Sequence, residues 1–111
     1  MKDDLFYLRH ILESIRRVEE DTSGGPESFR ASRTIQDAVV RNLQIMAESS
    51  QRLSAELKSQ CAEVEWNRIS AFRNVLVHDY LGLDMERIWV ITQSDVPALR
   101  KAIERMLREI T

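Results

Sequence analysis

The stretch ISAFRNVLVHDYLGLD, residues 69–84, reads as the last turns of a helix and the exit from it. Successive helical residues rotate by about 100°. Phe72 and Leu76 therefore share one apolar face, and Asn74 and His78 share another. A helix continued past His78 would carry Asp79 back toward the apolar side, where an unpaired carboxylate is costly. The helix is predicted to end or distort near His78, with Gly82 helping the chain leave. Its apolar side is supplied by Trp66, Ile69, Phe72, Val75 and Leu76, which sets a helix over about 64–76.

The same periodicity recurs on either side of this stretch. Leu5, Leu8, Ile11, Leu12, Ile15 and Val18 predict a first helix over about 3–20, with Asp3 or Asp4 as its cap. The segment DTSGGPES then breaks the pattern. A long second helix is predicted from about 28 to 58, with the polar stretch ESSQRLS as a place to bend. Downstream, Asp84 can cap a short helix through Ile88 and Trp89. Ser94 or Asp95 opens the last one, with Pro97 in its first turn and Leu99, Ile103, Met106, Leu107 and Ile110 on one face. Three glycines and two prolines are too few to turn a sandwich or a barrel. The chain is predicted to be all-α, a single domain over 1–111 built as a bundle of four or five helices.

Charge and composition narrow the function. A net charge of −2 argues against a large phosphate-tracking surface but leaves room for a local basic cleft. Such a cleft could draw on Arg16, Arg17, Arg30, Arg33 or Arg41, although solvated helix faces offset by Glu13, Glu19, Glu20 and Asp37 suit most of them. The lone Cys61 cannot form an internal disulfide. Two histidines and one cysteine, widely spaced, predict no metal site, and His10 reads as a surface residue. No apolar run approaches the roughly 20 residues of a membrane span. The start MKDDLFYLRH is acidic where a secretion signal needs a basic start. A cytoplasmic protein is expected.

Arg73 and His78 are the residues that could do chemistry on a phosphodiester, one as an anion clamp and one as a proton carrier. They are five residues apart, about 140° around a helix, so one helix does not aim them at a single atom. Either the helix end re-aims His78, or a symmetric dimer places two copies of the segment around one cleft. From spacing alone a plainer reading stands beside this one. Arg73, His78 and Tyr80 would then be an ion-pairing guanidinium, an imidazole facing the helix dipole and a packing residue.

The wider pattern resembles the HepT-like branch of the HEPN superfamily, the toxin half of two-gene modules with an MNT-type nucleotidyltransferase. The family signature, Arg, four residues, His, one residue, Tyr, stands here as Arg73-NVLV-His78-Asp79-Tyr80, with the customary polar residue present as Asn74. Trp66 lies upstream, Arg41-NLQIMAES resembles the family's arginine-led helix, and Asp95-Val-Pro97-Ala-Leu99 opens the last helix as in the family. Ala47 and Ser49 depart from the usual Gly and Ala. The resemblance implies a HEPN-type homodimeric bundle and a metal-independent endoribonuclease that needs no cofactor. It implies RNA as substrate, Arg73, Asn74 and His78 as the working residues, and a 2′,3′-cyclic phosphate product. It further implies that the nucleotidyltransferase antitoxin silences the toxin by adenylylating Tyr80, and it makes Arg41 a candidate for the RNA cleft. A catalytically silent nucleotide-binding or docking subunit of a nucleotidyltransferase complex is the alternative, and a plain helical oligomerisation module is a third.

Overall fold

Leu8, Ile11, Ile15 and Val18 recur every three or four residues, and all four are buried. They form the inner stripe of α1 (Lys2–Thr22), which packs along α3 (Arg33–Gln51) through Val39, Leu43 and Met46. In this computed structural model, residues 2–111 are described, with side-chain detail for all of them except Lys2 and Tyr80. The remaining elements are α2 (Pro26–Ala31), α4 (Ala55–Ser59), α5 (Trp66–His78), a 3-10 turn (Tyr80–Gly82), α6 (Met85–Gln93) and α7 (Asp95–Ile110). No strand occurs among the described residues. The fold is the all-α bundle that the sequence predicts, five helices of nine residues or more with two short ones between them.

α3 is the hub. One side of it lies on α1 and another carries α5, while α7 packs on α1 and α6 on α7. Phe29 of α2 is buried with its ring 5.4 Å from that of Trp89, and Arg30 donates to both oxygens of Glu86, so α2 is tied to α6.

Several boundaries differ from the sequence reading. The expected helix over 28–58 is three helices. At Ser32 the backbone turns extended (φ −122°, ψ 107°), and its hydroxyl accepts the Ile35 N–H, so a new helix is capped there. Ser54 does the same for α4, accepting from Leu57 N–H at 3.1 Å. Asp4 does not cap α1, which already starts at Lys2. Its carboxylate is 2 % exposed and reaches across the bundle instead, accepting from the Ser54 N–H at 2.8 Å and the Ser54 hydroxyl at 2.7 Å. That contact joins the start of α1 to the end of α3, which makes the two helices antiparallel. The loop after α1 turns at Gly25 (φ 91°), a left-handed conformation that suits glycine, and Pro26 opens α2. Gly82, by contrast, has no positive φ, and a methyl group there would meet nothing within 4 Å. The exit from α5 does not require glycine.

Asp4→Ala would leave the Ser54 N–H and hydroxyl without their charged acceptor. It should destabilise the fold by about 2 kcal/mol in urea unfolding. An unchanged midpoint would mean that water replaces the carboxylate at no cost.

Candidate functional site

α5 begins where Trp66 is pinned, its indole N–H donating to the carbonyls of Cys61 at 3.2 Å and Lys58 at 3.3 Å. Leu76 is the one fully buried residue of the helix, with Ile69 and Phe72 half-buried beside it against the core. Such shallow seating leaves much of α5 on the surface. The helix ends at His78 as the sequence predicts, closed by the Asp79 N–H to the Val75 carbonyl at 2.9 Å. Ending there, it keeps the Asp79 carboxylate exposed.

Arg73 lies on the flank of α5 that faces α3, with 30 % of its side chain exposed. Its Nε is 3.7 Å from Glu48 Oε1, buried, and without a hydrogen-bond partner. Glu48 is in turn held by Gln44, whose amide N–H donates to Oε1 at 2.9 Å. The far end of the guanidinium reaches the surface, where Nη1 donates to Asn74 Oδ1 at 3.3 Å. Asn74 and His78 are both exposed, one turn apart on the outward face. Among the described residues no hydrogen bond or ion pair joins His78 to Arg73 or Asn74. The structure thus brings Arg73 and Asn74 together and leaves His78 beside them at the helix end. The Tyr80 side chain lies outside the described residues.

The link of Gln44 and Glu48 to Arg73 bridges two helices and has no signal in the sequence, although Glu48 itself lies in the Arg41-NLQIMAES segment that resembles the family's arginine-led helix. A second, local hint is the i,i+4 spacing of Gln44 and Glu48. Arg41 is exposed on α3 and faces a groove that ends at Val77 and Leu81.

Between α5 and the α6–α7 pair runs a second, more apolar cleft of about 960 Å³, lined by Phe72 and Val75 on one side and Ile88, Ile91, Val96 and Leu99 on the other. Neither groove is lined by Arg73, Asn74 or His78. In a single chain Asn74 and His78 stand on an open surface, which Arg73 reaches only with the outer end of its guanidinium. Among the described residues no three His, Cys, Asp or Glu side chains come together as a metal site. Among the described residues no helix is long and apolar enough to cross a membrane.

Other candidates resolve as structure. His10 is exposed, with its ring 4.3 Å from that of Phe6. Arg16 and Arg17 are ion-paired to Glu13, whose carboxyl they hold down at about 2. Cys61 is fully buried, and its sulfur accepts from Arg105 at 3.1 Å. Burial, together with the neighbouring Glu63 carboxylate, pushes the thiol up from its ordinary value and keeps it protonated.

The chain matches a family model described as Ribonuclease HepT-like over residues 11–106. It is 34 % identical over 110 residues to a Methanocaldococcus jannaschii protein named "Gamma-glutamylcyclotransferase and putative RNase", covering 98 % of this chain and 50 % of that one. It therefore spans half the length of that relative. It is 32 % identical over 101 residues to "Probable ribonuclease HepT" of Thermococcus cleftensis, covering 90 % of this chain and 92 % of that one. No solved structure matches it at a significant level.

If Glu48 is what holds the guanidinium stem, Glu48→Ala should speed solvent exchange of the Arg73 Nε proton, read by NMR, by about tenfold, the equivalent of about 1.4 kcal/mol. Unchanged exchange would assign the protection to burial alone.

Proposed function

The chain belongs to the ribonuclease HepT-like family, and from that premise we propose that it is a metal-independent endoribonuclease working through Arg73, Asn74 and His78. The observation that carries this reading is the row of polar side chains at the end of α5. A guanidinium is steadied at its stem by Glu48 and meets Asn74 at its tip, one turn from a solvent-facing imidazole. In the proposed reaction the ribose 2′-oxygen bonds to phosphorus and the P–O5′ bond breaks. One proton leaves the 2′-hydroxyl and one reaches the departing 5′-oxygen, and His78 handles one of these transfers. Arg73 and Asn74 hold the non-bridging oxygens, where charge grows.

The working unit of this proposal is a two-fold dimer. Arg73 and His78 point about 140° apart on one helix, and neither lines either of the two grooves described above. A second copy facing α5 would oppose the Arg73 of one chain to the His78 of the other. It would also cover Val75, which is 43 % exposed and lies between Asn74 and the apolar cleft. The partner and control are proposed on the family resemblance. An MNT-type nucleotidyltransferase adenylylates Tyr80, and the bulky anion blocks the RNA site.

Arg73→Ala and His78→Ala should each lower RNA cleavage in the presence of a chelator by about 10²–10³-fold while the protein stays folded. Unfolding and refolding the two variants together should recover about a quarter of wild-type activity, because half of the dimers are mixed and one of the two clefts in each is intact. Full activity in His78→Ala would refute the mechanism, and no recovery on mixing would refute the shared cleft.

Coexpression with the transferase should add AMP to Tyr80 and silence the nuclease, and Tyr80→Phe should stay active under the same coexpression. Added mass that maps to another residue would overturn this assignment.

A further inference from the structure

Arg33 and Arg41 stand on the α3 wall of a groove of about 860 Å³ lined below by Val40, Leu76, Val77 and Met85, with Leu81 exposed at its edge. Arg30 also borders the groove, but Glu27 at 2.7 Å and Glu86 at 2.8 Å occupy its guanidinium. Among the described residues no carboxylate pairs with Arg33 or Arg41. Leu81 is 89 % exposed, a bare apolar side chain beside two unpaired cations. An apolar floor under free guanidiniums suits a ligand with flat faces and regularly spaced negative charges.

Arg33, Asp37, Arg41, Gln44 and Glu48 succeed one another at three- or four-residue steps and so form one stripe of α3. Gln44 lines the groove and donates to Glu48, and Glu48 faces Arg73. The groove therefore leads toward the guanidinium proposed to hold the scissile phosphate. Eight residues separate Arg33 from Arg41, a rise of about 12 Å along the helix, or roughly three to four nucleotides of a stacked strand.

We propose that this groove binds a single-stranded stretch of the RNA substrate beside the cleavage point. Arg33 and Arg41 hold two of its phosphates, and its base faces cover Val77 and Leu81. The proposal rests on the ribonuclease reading of the α5 residues. Charge complementarity selects the polyanion, and the floor selects a single strand, because a duplex keeps its base faces stacked inside. Asp37 sits one turn from each arginine and opposes the phosphates, so it sets an upper limit on affinity.

Binding of an unstructured RNA of roughly twelve nucleotides is measured by fluorescence anisotropy on the His78→Ala chain across a range of KCl concentrations. Arg33→Ala with Arg41→Ala should flatten the slope of log affinity against log salt by about 1.4, two phosphate contacts at about 0.7 each. Both residues are exposed on α3, so the fold should survive, and a thermal melt checks it. Arg9→Ala, exposed on α1 away from the groove, should leave the slope unchanged. Asp37→Asn should tighten binding. An unchanged slope in the double variant overturns the groove assignment, as does a duplex of the same sequence that binds equally well and loses as much. Cleavage by the unaltered chain is measured in parallel. If it cuts RNA and the slope does not move, only the groove proposal falls. If it cuts no RNA, the nuclease reading falls, and the slope still decides whether the groove holds a strand.

Discussion

The seam between α1 and α3 carries the rest of the molecule. Leu8, Ile11, Ile15 and Val18 meet Val39, Leu43 and Met46 along it, and each such buried side chain contributes roughly 1.5–3 kcal/mol. The seam fixes α3 in place, and α3 then supports α5 on another of its faces. Because α5 has little apolar seating of its own, its position depends on α3 and on the indole of Trp66. The seam is locked at one end by the Asp4 carboxylate on Ser54, which also starts α4. Packing in α1, far from α5 in sequence, thereby decides where Glu48 stands and so how Arg73 is held.

On the proposed reading, the weak seating of α5 has a functional side. A helix buried on all faces could not present Asn74 and His78 to a substrate, and a helix with a full core stripe would leave no cleft beside Val75. The half-buried Arg73 combines the two requirements. Its Nε is inside, next to a carboxylate, and its outer end is available to an anion. A fixed guanidinium loses less rotamer freedom when it grips a phosphate than a free one does.

What could be read from the sequence was what is periodic or local. The apolar stripes of α1 and α7, the end of α5 at His78 and the Asp84 cap all follow from spacing and residue type, and the structure has each of them. The division of residues 28–58 could not be seen that way. The apolar positions continue across Ser32 and Ser54, and each serine breaks the helix through its own backbone turn and hydroxyl cap. Asp4 looked like an N-cap because an acid near a helix start is the commoner use, and its partner lies fifty residues away. The Glu48–Arg73 contact is hidden for the same reason: polar contacts between helices have no period. The signature Arg73, Asn74, His78 and Tyr80 was legible as a pattern, whereas the angle between its members becomes a constraint only on a helix that ends at His78.

At the centre of the account is a nuclease in which a side chain moves the 2′-hydroxyl proton and a guanidinium steadies the phosphate. The ends of its RNA products report on that chemistry directly. Incubation of a defined RNA with the purified chain in chelator, followed by mass spectrometry of the fragments, should show 2′,3′-cyclic phosphate on the upstream piece and a 5′-hydroxyl on the downstream one. Fragments carrying a 3′-hydroxyl and a 5′-phosphate would mean that water, not the ribose, attacks phosphorus, and would contradict it.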